Sequence, residues 1–181
     1  SILQGHPDMK HIPGVDMSSG SLGQGISCAV GMALSSKHFG TGFNVYTVLG
    51  DGELGEGQVW EAAMFASSKG LSNLTAFVDN NNLQIDGTVE EVNSPYPIDK
   101  KFEAFGWHTI VIDGHDFDQI EAALVEAKTV DKPVCIIANT VKGKGVSYME
   151  NQVGWHGSAP NDELAAKALE ELDAQLNELM A

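Results

Sequence analysis

Positive charge is what this sequence has least of: 10 basic residues stand against 25 acidic ones, giving a formal net charge of −15. No basic field exists to draw a phosphate backbone or an anionic bilayer, so neither nucleic acid nor a membrane is an expected partner. An anionic ligand must instead be met by a metal ion, backbone N–H groups and a few local lysines. Cysteine is scarce as well. Cys28 and Cys135 lie in apolar helix-like and strand-like runs, where small buried thiols are expected rather than a disulfide, as in a cytoplasmic protein. No apolar run approaches bilayer-spanning length, and Ser1-Ile-Leu-Gln-Gly5 has neither a basic start nor a signal-like core. Residues 1–20 also lack sustained periodicity. Rich in Gly, Pro, His and Ser, they are expected to loop over the domain, as though the chain began partway through a larger unit.

What is present suffices for one core: 181 residues with 43% hydrophobic content point to a single domain over 1–181. The organising stretch runs from Gly50 to Gly87. Val45-Tyr-Thr-Val-Leu49 and Leu74-Thr-Ala-Phe-Val78 are short, β-branched or aromatic and stopped by turn residues, so both predict strands. Gln58 to Lys69 predicts the helix that crosses between them, making the strands parallel neighbours. Upstream, Ser18-Ser-Gly-Ser-Leu-Gly-Gln-Gly25 feeds a helix of small residues over 26–39. Such a turn offers free N–H groups to an anion or a polar ring edge, while Gly25, Ala29, Gly31 and Ala33 equally suit close helix packing. Downstream, 101–105 predicts a short helix, 107–112 a strand, Asp116 the cap of a helix reaching Val130, and 134–138 a fourth strand. Asn161 caps a terminal helix over about 161–180 with an acidic, solvated face. The fold class is α/β, a mostly parallel sheet flanked by helices.

Asp51 and Asn81 then fall just past the carboxyl ends of two strands, where open α/β sheets bind ligands. A carboxylate, an amide oxygen and the backbone carbonyl near Leu83 form a hard oxygen set with one formal charge. That suits Mg²⁺, which keeps phosphate and water among its ligands. Taken alone, Gly50-Asp51-Gly52 and the Asn run also read as two ordinary turns. Lys142-Gly143-Lys144-Gly145 follows the fourth strand on the same side, either as a phosphate contact or as a solvated turn. His6, by the residues alone, is an exposed loop histidine, and His108 and His115 read as strand-end and turn residues.

Together these motifs resemble the diphosphate-binding part of the transketolases, which use thiamine diphosphate. The resemblance rests on Gly5-His6-Pro7, Gly20-Ser-Leu-Gly-Gln-Gly25, Gly50-Asp51-Gly52 with Glu56-Gly57, Asn81 to Gly87, Lys142-Gly-Lys-Gly145 and His156-Gly-Ser-Ala-Pro160, in family order. It implies a thiamine-diphosphate-binding fold, with Asp51, Asn81 and the main-chain oxygen of Leu83 on Mg²⁺ (Ca²⁺ or Mn²⁺ as substitutes) and Gly52 on the diphosphate. Gly20 and Leu22 are implied beside the aminopyrimidine, Ile85 and Lys142 near the thiazolium. His6 and His156 are implied as catalytic proton-transfer groups, and Glu56 as a buried carboxylate linking paired active sites. The implied function is the N-terminal subunit of a two-chain transketolase of the pentose phosphate pathway. It would move a two-carbon ketol unit from a ketose phosphate to an aldose in an (αβ)2 heterotetramer, whose C-terminal subunit carries the pyrimidine-binding domain and the glutamate that activates the cofactor. The family's amino-terminal part has no match here, and Ser21 stands where many members have proline. The alternatives are a cofactor-binding or assembly module without catalysis and the α subunit of a 2-oxoacid dehydrogenase. Gly-His-Pro and His-Gly-Ser-Ala-Pro argue against the last.

Overall fold

In the computed structural model, which describes residues 2–181, an opening loop leads into α1 (Gln24–Phe39), then β1 (Val45–Gly50), α2 (Gly57–Ser68) and β2 (Leu74–Asn80). A small hairpin, β3 (Leu83–Gln84) and β4 (Gly87–Thr88), precedes α3 (Val89–Asn93) and α4 (Ile98–Ala104). There follow β5 (His108–Asp113), α5 (Phe117–Ala127), β6 (Val134–Asn139) and α6 (Asp162–Met180). The four long strands are parallel, in the order β1-β2-β6-β5. The α/β class and the β1-α2-β2 unit stand as expected. Strand β5, however, lies at the sheet's outer edge, because β6 inserts beside β2.

Two apolar layers hold the sheet. On one face Val45, Leu49, Leu74, Ala76, Val78, Cys135 and Ile137 pack beneath α1, α2 and α4. Alanines let α1 and α2 approach: Ala33, Ala63 and Ala66 have no exposed surface. Gly31 does not share that role, since a Cβ there would meet nothing within 4 Å. On the other face Ala123 and Ala127 of α5 cover Ile112, Val134, Ile136 and Ala138. That cover stops short of β1, whose Tyr46 and Val48 are exposed.

Capping sets several boundaries. Asp116 accepts from the N–H groups of Asp118 and Gln119 at the start of α5, and Asn161 from Leu164 at the start of α6. Both caps fall where the sequence placed them, although α5 ends at Ala127 and α4 starts a turn earlier than expected. The sequence reading missed α3. Its Thr88-x-x-Glu91 capping box forms, with Thr88 Oγ1 accepting from Glu91 N–H and the Glu91 carboxylate accepting from Thr88. Both cysteines are free, and burial pushes the Cys135 thiol far above its ordinary range. Among the described residues no helix is long and apolar enough to cross a membrane.

Candidate functional site

The carboxyl ends of β1, β2 and β6 converge, and hydrogen bonds continue the sheet past them. Asp51 N–H donates to Asp79 O at 3.2 Å, and Thr140 N–H to Asn80 O at 3.2 Å. Asp51 is only 2% exposed. Its Oδ1 accepts from Gly52 N–H at 2.8 Å and its Oδ2 from Asn82 N–H. Asn82 turns left-handed (φ 62°) to aim that N–H, a conformation asparagine tolerates better than most residues. Burial raises the Asp51 pKa; the N–H donors at Asn82 and Gly52 oppose the rise and the nearby Asp79 charge adds to it. Among the described residues no lysine or histidine forms an ion pair with Asp51. A buried carboxylate held only by N–H groups favours a cation.

Asn81 and Leu83 supply the other oxygens. Asn81 Oδ1 accepts from Leu83 N–H at 3.0 Å, and its Nδ2 donates to Asp79 Oδ2 at 3.2 Å. Leu83 pairs with Thr88, while Val89 N–H bonds the Asn82 carbonyl. In that antiparallel pattern Leu83 and Thr88 form the non-hydrogen-bonded pair, so the Leu83 carbonyl points away from the hairpin, as its N–H does. Gly52 sits tightly beneath the hairpin: a Cβ there would lie 2.7 Å from Gln84 Oε1. Among the described residues no three His, Cys, Asp or Glu side chains are grouped to hold a metal by themselves. The corner instead offers one carboxylate, one amide oxygen and one carbonyl, a set that fits Mg²⁺ sharing phosphate oxygens and water.

The glycine-rich turn before α1 is stitched to this corner by a residue the sequence reading overlooked. Glu53 accepts from Gly23 N–H at 2.7 Å through Oε1 and from Gly50 N–H at 3.1 Å through Oε2. Gln58 of α2 adds a bond to the Leu22 carbonyl at 3.2 Å. Gly20 and His6 are in contact, since a Cβ on Gly20 would stand 2.7 Å from His6 Cδ2. No motif flags Glu53. Its position one residue after Gly-Asp-Gly was the available signal.

Lys142 lines a cavity of about 430 Å³ with Asp79, Asn81, His115 and Thr140. His115 turns out to hold its loop as well, its Nε2 accepting from Val141 N–H at 2.8 Å. The other expected residues lie open. Leu22 is 60% exposed and Ile85, in the turn of the hairpin, 65%. His156 ends a 3-10 turn over Val153–Trp155 and is exposed, with its N–H bonded to Val153 O at 2.9 Å. No hydrogen bond ties its ring to the Asp51 corner among the described residues. Glu56, at the start of α2, has its Cβ beside Gly23 and is exposed in the single chain.

Residues 1–177 match the family described as the thiamine diphosphate binding domain of transketolase. A 6-deoxy-6-sulfo-D-fructose transketolase subunit from Clostridium sp. (strain MSTE9) is 46% identical, over 97% of this chain and 64% of its own length. An apulose-4-phosphate transketolase subunit from Phocaeicola vulgatus is 40% identical, over 99% of this chain and 64% of its own length. The chain thus spans about two thirds of the length of these relatives. Among solved structures, the transketolase of Campylobacter jejuni superposes with a TM-score of 0.85 at 35% identity, over 94% of this chain and 28% of that one. On this family match and these relatives, the chain belongs to the transketolase family, as its thiamine diphosphate-binding domain.

Proposed function

We propose that this chain is the N-terminal subunit of a two-chain transketolase, holding the diphosphate end of thiamine diphosphate through Mg²⁺ while a second subunit supplies the pyrimidine-binding domain. The observation that carries this reading is the corner of Asp51, Asn81 and the Leu83 carbonyl, with a buried, unpaired carboxylate at its centre. Asp51, Asn81 and Leu83 hold the cation, and Ca²⁺ or Mn²⁺ can stand in for Mg²⁺. Gly52 lies on the diphosphate side, and Gly20, Leu22, Ile85 and Lys142 line the rings. When bound, the thiamine ring stores the charge of the transferred two-carbon unit. His6 and His156 move protons at the substrate oxygens, each imidazole offering a donor and an acceptor nitrogen.

Two relatives bear the names of anionic ketoses, a sulfonated and a phosphorylated one. An anionic ketose is accordingly the proposed donor and an aldose the acceptor. With a net charge of −15, this chain brings a single lysine, Lys142, to the lining of the cavity among the described residues, so the partner chain carries most of the grip on such an anion. An (αβ)2 assembly in the cytoplasm, with Glu56 covered across its interface, completes the reading. The exposure of Leu22, Ile85 and Glu56 favours a second one, a cofactor-binding module that does not turn over.

Mixing this chain with a pyrimidine-domain subunit, Mg²⁺, thiamine diphosphate, a ketose phosphate and an aldose decides between them. Ketol transfer above that of either chain alone supports the first reading. Cofactor binding and association without transfer support the second.

A further inference from the structure

The Asn81 side chain is held by its nitrogen as much as by its oxygen. Nδ2 donates to Asp79 Oδ2 at 3.2 Å, while Oδ1 accepts from Leu83 N–H at 3.0 Å. Turned by 180°, the amide would set its oxygen against a carboxylate oxygen and its NH2 against an N–H, exchanging two bonds for two repulsions. The bond to the carboxylate is the stronger restraint because its acceptor is charged. Asp79 is itself anchored: Thr140, just past β6, donates its hydroxyl to Oδ1, and the β2–β6 ladder sets Asp79 opposite Ala138. From these contacts we infer that Asp79 is a positioning residue for the cation corner, fixing the Asn81 amide with its oxygen on the side of the outward-pointing Leu83 carbonyl and its NH2 turned away.

The inference rests on the proposed cation site and adds a requirement to it. An amide in the wrong orientation presents hydrogen to a cation, so the oxygen set is complete only while Asp79 holds Asn81. Two other roles for Asp79 predict different behaviour. A purely electrostatic role depends on its charge, and a purely structural one on its contribution to stability.

A two-by-two set of variants separates these roles: the unaltered chain, Asp79→Leu, which has no acceptor, Asn81→Asp and the double variant, each titrated with Mn²⁺ in the presence of thiamine diphosphate and followed by the spin resonance of free Mn²⁺. Asp79→Leu is expected to weaken Mn²⁺ binding 10- to 100-fold, the usual cost of losing a residue that orients a ligand. In the Asn81→Asp background, where a carboxylate oxygen faces Asp79 and no orientation is wrong, the same change removes a carboxylate–carboxylate repulsion and is expected to cost no Mn²⁺ affinity. An equal loss in both backgrounds, or no loss in the first, overturns the inference. Thr140→Val keeps the Asp79 charge but frees the side chain, and is expected to weaken Mn²⁺ severalfold only where residue 81 is Asn.

A metal-free readout stands beside these. The two side-chain N–H resonances of ¹⁵N-labelled Asn81 should be slow to exchange in the unaltered chain, and should shift toward free-amide positions in Asp79→Leu and in Thr140→Val. Unchanged resonances overturn the inference even if Mn²⁺ binding falls. Failure of the unaltered chain to bind Mn²⁺ would remove the cation site itself, while the amide resonances would still decide how Asn81 is oriented.

Discussion

The two ends of the proposed site are built differently. At the diphosphate end Asp51 is 2% exposed, accepts two backbone N–H bonds and sits where two parallel strands finish. At the ring end Leu22 and Ile85 are 60% and 65% exposed, and Glu56 and His156 are exposed as well. The difference separates what one chain can organise from what needs a second surface. Polar groups can be fixed by backbone N–H donors within a single sheet edge, whereas apolar ring contacts need a facing wall that this chain does not provide.

The largest effect expected from that contrast concerns ligand response. If the diphosphate end is complete in this chain, Mg²⁺ with thiamine diphosphate at about a hundred times Kd should add roughly 2.7 kcal/mol. The melting temperature should then rise by about 5–10 °C in a domain of this size, and Asp51→Ala should abolish the rise. A shift that survives Asp51→Ala, or one seen only with the partner subunit, would break the comparison.

Next comes the stitch between the two ends. Glu53→Ala frees the Gly23 and Gly50 N–H groups at once and is expected to cost about 1–3 kcal/mol, the penalty for unsatisfied buried donors. Urea unfolding measures it. A neutral result would show that the glycine-rich turn is held by other means.

The pH dependence of the metal-free chain gives a third, smaller test. The folded pKa of Asp51 lies above its ordinary 3.8, chiefly through burial, so the native state binds the proton more tightly than the unfolded chain. Stability contributed by this group is therefore fully present below about pH 3.8 and is lost as pH rises through the raised folded value. Asp51→Asn should flatten that part of the stability profile while also removing the Mg²⁺ response. An Asp51→Asn chain whose profile matches the unaltered protein would refute the assignment.

The smallest effects belong to the ring end. Ile85→Ser and Glu56→Gln should each leave the stability of the isolated chain within about 0.5 kcal/mol, as exposed substitutions do. Weaker cofactor binding should emerge only when the partner subunit is present. A marked loss in the isolated chain would mean that the ring end is organised without a partner.

Much of this was legible in the residues. Val45 to Leu49 and Leu74 to Val78 carry their strand character in β-branched and aromatic side chains, and Asp116 and Asn161 announce their helices by cap chemistry. Asp51 and Asn81 stand out as ligand candidates because parallel sheets place ligands at their strand ends. The hairpin carrying Leu83 and the helix after Thr88 were missed, although Asp86-Gly87 is a turn signal and Thr88-x-x-Glu91 a capping box. Both are short, and short elements give periodicity little length in which to appear.

Local sequence thus determined the strands, their helical crossover and the oxygen-bearing residues at their ends, because propensity, capping and the two-residue strand repeat act over a few neighbours. Tertiary structure alone decided that β6 would lie beside β2, bringing Thr140 onto Asp79 and so Asp79 onto Asn81. It alone placed Glu53 between two glycines 27 positions apart in sequence, Gly23 and Gly50. It also left Glu56 in the open. Strand order and burial depend on contacts between distant segments, and no short stretch of sequence contains them.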